Sequence, residues 1–276
     1  MNIKKQLHAL GLAPRPHWSQ NFLHDERVVE RMVRAAQLSK QDIVLEIGTG
    51  LGILTQALSQ AVARVISFDV DGKLLEKVSS HFADLSNVEW VSMDFLKYDL
   101  KSLKERFPVI KVVSNLPYHI STEVLFRFLE ERSGVSSMTF MLQKEVGRRI
   151  AAVANTKAYG VLSIFSQVYA DIEICFDIAP GCFYPRPRVC SSVLHFKVKP
   201  TLPFASAAEE KRFKKIVKTA FGHRRKILRH ALLELSFTEP MLNHLIHKGY
   251  DLCRRPESFS VVEWMRLNRE IQSVEK

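Results

Sequence analysis

Two stretches and two isolated acids in this chain have the residue types and spacing to do chemistry. The first stretch is Glu46-Ile-Gly-Thr-Gly-Leu-Gly52. Its glycines let a backbone turn tightly and approach a ligand with no methyl group in the way. A dinucleotide fingerprint needs a third glycine at position 53, which is Ile53. No Gly-Lys-Ser/Thr follows, so a Walker phosphate cradle is excluded as well. A nucleoside cofactor with no pyrophosphate fits better, and a purely structural loop stays open. The acids are Asp69, 21 residues after Gly48, and Asp94, which follows Val91-Ser-Met. A carboxylate at Asp69 can accept hydrogen bonds from two ribose hydroxyls, and Asp94 can accept one from an adenine amine. Either acid alone could equally be a helix cap. With Gly48 and Gly50 they match S-adenosylmethionine (SAM).

The second stretch is Asn115-Leu-Pro-Tyr118. It holds no side chain that takes up a proton near neutrality, which suits one reaction in particular. The lone pair of an exocyclic amine is delocalised into its base and points the wrong way for in-line attack on a sulfonium methyl. Acceptors that bind both amine hydrogens favour a more tetrahedral nitrogen, with no proton removed first. The Asn115 amide oxygen and the Leu116 carbonyl are such acceptors. Pro117 restricts that carbonyl, and Tyr118 offers a flat surface to an unstacked base. A strand ending in an Asn turn with an inward Tyr is the plain structural reading. His119 is adjacent but is not needed as a base.

These residues must be positioned by their elements. Ile43–Ile47, Arg64–Asp69, Val88–Ser92, Val109–Val113 and Ser137–Leu142 read as strands. Between them, Ile53–Gln60, Gly72–Phe82 and Thr122–Glu130 read as helices, after a first helix over Asp25–Ala36. This alternation implies a mostly parallel sheet with right-handed crossovers, and it puts both acids and the tetrad at strand carboxyl ends. Leu162–Tyr169, Ile172–Ile178 and Val193–Val198 are expected to supply final, partly antiparallel strands. Pro200–Pro203 is the expected boundary. Beyond it Glu209–Leu235 and Phe259–Ile271 read as helices separated by a Gly/Pro-containing connection.

The chain has 276 residues, 46% apolar and 25% charged, enough for one large domain and a smaller one. No apolar run approaches a membrane span, and the polar stretch His17-Trp-Ser-Gln-Asn21 gives no secretory signal. Four dispersed cysteines lack zinc spacing, and reduced thiols in the cytoplasm fit them best. No metal is expected. The net charge is +11, and the last 76 residues carry 15 Lys/Arg against 9 Asp/Glu. Lys211–His230 holds nine basic residues and no acid. With Phe213, Ile216, Val217 and Ala220 turned inward, Lys214, Lys215, Lys218, Arg224, Arg225 and Lys226 could present a basic ridge to RNA phosphates. A plain solvated face, a coiled coil and a membrane-surface helix are the competing readings.

The chain resembles the ribosomal RNA adenine N6,N6-dimethyltransferase family, most closely its bacterial small-subunit branch. The matching stretches are Gln20-Asn-Phe-Leu23, Glu46-Ile-Gly-Thr-Gly50, Asn115-Leu-Pro-Tyr118, Met141-Leu-Gln-Lys-Glu-Val146 and Tyr159-Gly-x-Leu-Ser163. Phe183-x-Pro-x-Pro-x-Val-x-Ser-x-Val193 and Phe221-x-x-Arg-Arg-Lys226 follow in family order. The resemblance implies a Rossmann-like class I SAM-dependent methyltransferase domain with a mostly parallel seven-stranded sheet over residues 1–200. It also implies a small, basic α-helical domain over 201–276 for recognising the ribosomal subunit. By it Asn21 and Leu23 contact SAM, Gly48 lies against it, and Asp69 replaces the more usual glutamate as ribose acceptor. Asp94 contacts the adenine, Asn115 lies between cofactor and target amine, and Tyr118 and Phe183 grip the target base. On its own residues, Phe183 could simply anchor a rigid loop. Thr49 stands where many relatives have proline.

The implied substrate is 16S rRNA in an immature 30S subunit, with two adjacent adenosines near its 3′ end dimethylated by a protein that is monomeric when free. The rivals are a 23S rRNA adenine methyltransferase and a catalytically idle RNA-binding assembly factor.

Overall fold

The computed structural model describes residues 3, 7, 11, 13, 14, 20–201 and 203–274. The stretch before Gln20, which carries the expectation of no secretory signal, lies largely outside the described residues. Two compact units are present: Met1–Gly147 with Asp171–Val198, and Arg148–Ala170 with Lys199–Lys276.

In the first unit β1 (Phe22–Leu23) pairs antiparallel with β8 (Phe183–Tyr184). The main sheet is built from β2 (Ile43–Ile47), β3 (Arg64–Asp69), β4 (Val88–Ser92), β5 (Ile110–Asn115), β6 (Val135–Gln143), β7 (Ala170–Ile178) and β9 (Ser191–Val198). Its order is β4-β3-β2-β5-β6-β9-β7. Strands β4, β3, β2, β5 and β6 pair in parallel, and β9 runs antiparallel to β6. This is the mostly parallel sheet expected from the alternating pattern, with the Rossmann-like, seven-stranded form that the family resemblance implies.

Local chemistry sets the crossovers. Asp25 caps α1 (Glu26–Ala35), its carboxylate accepting from the Arg27 amide at 3.1 Å. Asp71 caps α3 (Gly72–His81) by accepting from the Leu74 amide at 3.2 Å. Such a cap is worth about 1 kcal/mol and sets where the chain turns after β3. Between these helices, α2 (Ile53–Ala61) buries Leu54 and Leu58 on the sheet; α4 (Leu100–Arg106), α5 (Ser121–Glu130) and α6 (Lys144–Ile150) follow along the chain. Val44, Val65, Val113, Met141 and Val193, from five of the strands, are fully or almost fully buried in one core with them.

The chain leaves β2 toward β3 and β4 on one side and later toward β5 and β6 on the other. Sheet order therefore reverses between β2 and β5, the place where open α/β sheets bind ligands outside strand carboxyl ends. The two strands pair Val44 with Lys111 and Leu45 with Val112. Further on, the buried Ile47 amide donates to Ser114 Oγ at 2.7 Å. A side chain thus satisfies that donor at the mouth of the crevice.

The second unit is helical. Leu162–Tyr169, expected as a strand, is a helix, α7 (Val161–Tyr169). It is apolar and buried at Leu162, Ile164, Phe165, Val168 and Tyr169, and its two serines are buried too. Burial on every side leaves no periodicity by which strand and helix can be told apart. The Phe165 and Phe213 rings lie 6.1 Å apart, and the Tyr169 hydroxyl donates to Glu210 Oε1 at 2.7 Å. Those contacts group Arg148–Ala170 with the C-terminal helices, whereas a cut at residue 200 leaves this segment in the first domain.

The helix expected over Glu209–Leu235 is two helices, α8 (Ala207–Gly222) and α9 (Leu228–Glu234). The expected connection contains a further helix, α10 (Glu239–His247), with Pro240 in its first turn, where a missing N–H costs nothing. The final helix is α11 (Val261–Val274), whose Trp264 is buried against Phe259. No helix among the described residues is long and apolar enough to cross a membrane.

Candidate active site

The carboxyl ends of β2, β3, β4 and β5 open into one cavity of about 300 Å³. Asn21, Leu23, Gly48, Gly50, Asp69, Asp94, Asn115, Leu116, Pro117, Tyr118 and Phe183 all line it. The structure thus brings together every residue proposed from sequence for the cofactor and for the target amine.

The glycine loop forms one wall. Gly48, Gly50 and Gly52 have φ of +84°, +55° and +78°, the left-handed region that favours glycine. A Cβ on Gly52 would come within 2.5 Å of the Phe82 ring, so this glycine holds the loop down on α3. Backbone amides of Gly48 and Thr49 both donate to the Phe68 carbonyl, at 2.8 and 3.2 Å.

Asp69 ends β3 and is 9% exposed. Its Oδ2 accepts from the Gly50 amide at 3.1 Å and its Oδ1 from the Asp71 amide at 2.9 Å. Burial pushes its pKa up, and these amide donors oppose the rise. Each carboxylate oxygen has a second lone pair, so capacity remains for the hydroxyls of a ribose. The shorter aspartate is therefore tied to the glycine loop itself. Asp94 is half-buried and accepts from the Leu96 amide at 3.0 Å, so it is a cap as well as a wall residue.

Beneath the loop, Glu46 is completely buried. Its Oε2 accepts from the Thr55 and Ser67 hydroxyls at 2.5 and 2.7 Å, while Oε1 has no hydrogen-bond partner among the described residues. Burial pushes its pKa up to about 8. Thr49 joins the same cluster through a 2.6 Å hydrogen bond between its hydroxyl and that of Ser67. That bond supplies a local reason for threonine in the loop.

At the end of β5, Leu116 is buried and its amide donates to the Met141 carbonyl at 3.3 Å. The Asn115 carboxamide makes no hydrogen bond among the described residues. The Tyr118 hydroxyl lies 2.8 Å from Ser191 Oγ, and burial raises the phenol pKa, which keeps it neutral. Phe183 is 3% exposed and sits in the core cluster with Leu23 and Met141. It therefore anchors its loop and also faces the cavity. Pairing of β1 with β8 sets Leu23 opposite Phe183, which brings the leader to this wall.

Sequence reasoning missed several lining residues. Val70 and Met93 line the cavity yet are 54% and 44% exposed, an apolar shelf that suits a planar ring. Their signal was an apolar residue directly beside each strand-terminal acid. Gln20 also lines the cavity and donates to Asp71 Oδ2 at 3.4 Å.

Two cavity-lining acids, a left-handed glycine loop and an apolar shelf at a sheet switch point fit a nucleoside, and the fold with this pocket defines a class I SAM-dependent methyltransferase whose cofactor is SAM. The chain belongs to the ribosomal RNA adenine dimethylase family, whose profile matches residues 12–268. It is 36% identical over 269 residues to the ribosomal RNA small subunit methyltransferase A of Clostridium botulinum strain Loch Maree, covering 97% of this chain and 98% of that one. It is 38% identical over 259 residues to the protein of the same name from Alkaliphilus metalliredigens, covering 91% of this chain and 90% of that one. Among solved structures, a dimethyladenosine transferase from Plasmodium falciparum superposes with a TM-score of 0.79 at 23% identity, over 91% of this chain and 98% of that one. The 23S rRNA methyltransferase ErmE gives 0.72 at 23% identity, over 91% of this chain and all of that one. These two likenesses establish the fold.

In the second unit the six proposed RNA contacts divide. Lys215, Lys218, Arg225 and Lys226 are exposed. Lys214 lies 3.1 Å from Glu210 Oε1. Arg224 is paired with Glu257 at 3.1 Å and donates to the carbonyls of Lys157 and Thr156 at 3.0 and 3.2 Å. It is a structural clamp as well as a charge.

Proposed function

We propose that this SAM-dependent rRNA adenine methyltransferase dimethylates N6 of two adjacent adenosines near the 3′ end of 16S rRNA, within the immature 30S subunit. The observation that carries the site reading is the end of β5. There the Asn115 carboxamide, without a hydrogen-bond partner among the described residues, lines the cavity beside the glycine loop. Small-subunit specificity is supported by full-length relatives bearing that name.

When bound, SAM supplies an electrophilic methyl group. Asp69 would accept from its ribose hydroxyls and Asp94 from its adenine amine, and Val70 and Met93 would supply an apolar surface for the ring. Gly48 and Gly50 admit the cofactor, and Asn21 and Leu23 close the pocket from the leader. Asn115 Oδ1 and the Leu116 carbonyl accept the two hydrogens of the target amine and turn its lone pair out of conjugation. Tyr118, held by Ser191, and Phe183 confine the base. The substrate docks through Lys215, Lys218, Arg225 and Lys226, with Lys214 and Arg224 at the edge of the same ridge.

One experiment tests this reading. Radiolabelled SAM is incubated with the protein and either undermethylated 30S particles or protein-free 23S rRNA, and the labelled nucleotide is mapped. Two adjacent dimethylated adenosines in 16S rRNA are expected. Label confined to 23S rRNA, or binding to 30S without label, would overturn it.

A further inference from the structure

We propose that a groove beside the catalytic cavity holds the nucleotide next to the target adenosine on the same RNA strand, an inference that rests on the target-adenosine reading above. The groove has a volume of about 540 Å³ and shares Gln20, Asn21, Tyr118 and His119 with the cavity. Its other wall is Gln143 and the loop that carries Pro185, Pro187, Arg188 and Val189. A strand of RNA with one base beside Tyr118 therefore has an open, continuous path for the next.

The wall is built to stay in place. The loop leaves β8 and returns at Ser191 into β9, where Ser191 pairs with Gln143 at the end of β6 and its hydroxyl meets that of Tyr118. The two prolines limit the backbone between those fixed ends. Arg188 is exposed and makes no ion pair or hydrogen bond among the described residues. The Gln143 carboxamide has no hydrogen-bond partner among them either. Val189 is 45% exposed. Among the described residues no carboxylate lines the groove.

That combination suits one nucleotide. Prolines and a valine give a flat apolar face for a base, a carboxamide can meet its edge, and an unengaged guanidinium can take the phosphate. A purely peptidic partner would leave the cation and the carboxamide without a systematic use. The apolar face also admits added methyl groups, because they meet proline and valine and displace no buried donor. A neighbour that is already dimethylated therefore fits where an unmodified one does. Both adenosines can then be served by the same two subsites after a one-nucleotide shift.

The test uses full-length protein, radiolabelled SAM, and reconstituted 30S particles whose 16S rRNA carries either adenosine or uridine beside the mapped target. Arg188→Ala and Gln143→Ala are expected to raise KM for the adenosine particle about five- to tenfold, a range typical of deleting one charge-assisted or neutral hydrogen bond. The kcat and the affinity for S-adenosylhomocysteine should stay within about twofold, and Arg188→Lys should recover most of the binding. Replacing the neighbour by uridine should cost the wild type more than it costs Gln143→Ala, because both changes remove the same hydrogen bond. Unchanged KM in both variants, or effects that simply add, would overturn the groove assignment while leaving the catalytic reading standing. A KM effect on particles that disappears on protein-free 16S rRNA would give the groove to a ribosomal protein instead. Wild-type protein that labels no adenosine would remove the reading beneath the proposal.

Discussion

Gly48, in the loop after β2, packs directly against Pro117 of the tetrad after β5: a Cβ placed on Gly48 would lie 3.4 Å from the Pro117 Cδ and 3.5 Å from the Asn115 carbonyl oxygen. The glycine loop after β2 and the tetrad turn after β5 are therefore close neighbours in the cavity wall. A methyl group at position 48 would sit in van der Waals contact with the tetrad. Gly48→Ala carries the cost of φ +84° for an L-residue, roughly 1–2 kcal/mol, in a loop that touches the tetrad. We expect S-adenosylhomocysteine affinity to fall by about tenfold or more, with a small drop in global stability in denaturant titrations. Unaltered affinity would mean that the loop and the tetrad do not share one geometry.

Asn115→Ala removes a lone acceptor from inside the cavity and fills nothing. Methyl transfer should drop by about 10²–10³, the range seen when one preorganised polar group is deleted from a reaction site. Binding of S-adenosylhomocysteine and of 30S particles should stay within a few-fold. Decreases of equal size in turnover and in particle binding would make Asn115 a folding or docking residue.

Glu46 makes stability depend on pH in a definite direction. Its pKa rises from 4.5 to about 8 on folding, so within that window the native state keeps a proton that the unfolded chain has released. Stability is then greatest below the window and falls as pH rises through it, by a few kcal/mol at about 1.4 kcal/mol per unit. Glu46→Gln keeps an acceptor for Thr55 and Ser67 and cannot ionise. Denaturant titrations at about pH 5 and about pH 9 should show the variant gaining on the wild type as pH rises. Parallel pH profiles would place the proton elsewhere.

Arg225 and Lys226 differ from Arg224 in what they already hold. Arg225→Ala with Lys226→Ala removes two exposed cations and should weaken 30S binding. The slope of log affinity against log salt should fall by about 1 for each phosphate no longer neutralised, with no change in melting behaviour. Arg224→Ala frees Glu257 and two carbonyls and should lower thermal stability as well. Identical melting curves for the two variants would deny the clamp.

Much of the architecture is local and readable as such. Ile43–Ile47, Arg64–Asp69 and Val88–Ser92 have the bounds that their sequence pattern predicts. The glycine loop and Asn115-Leu-Pro-Tyr118 announce themselves through backbone constraints that glycine and proline impose on their own. Where the pattern is apolar without a period, as in Val161–Tyr169, a run supports a strand or a helix equally. Only neighbours such as Phe213 and Glu210 settle it.

Side-chain chemistry divides along the same line. Residue identity alone named Asp69, Asp94 and Asn115 as acceptors, since a strand's carboxyl end is a local property of the chain. That Phe183 stands opposite Leu23, that Val70 and Met93 stay open to the cavity, and that Arg224 is already occupied depend on partners far away in sequence. Burial and pairing are properties of what folds against a residue. Glu46 shows the difference most sharply: its type says carboxylate, and only its surroundings make it a proton holder near neutrality.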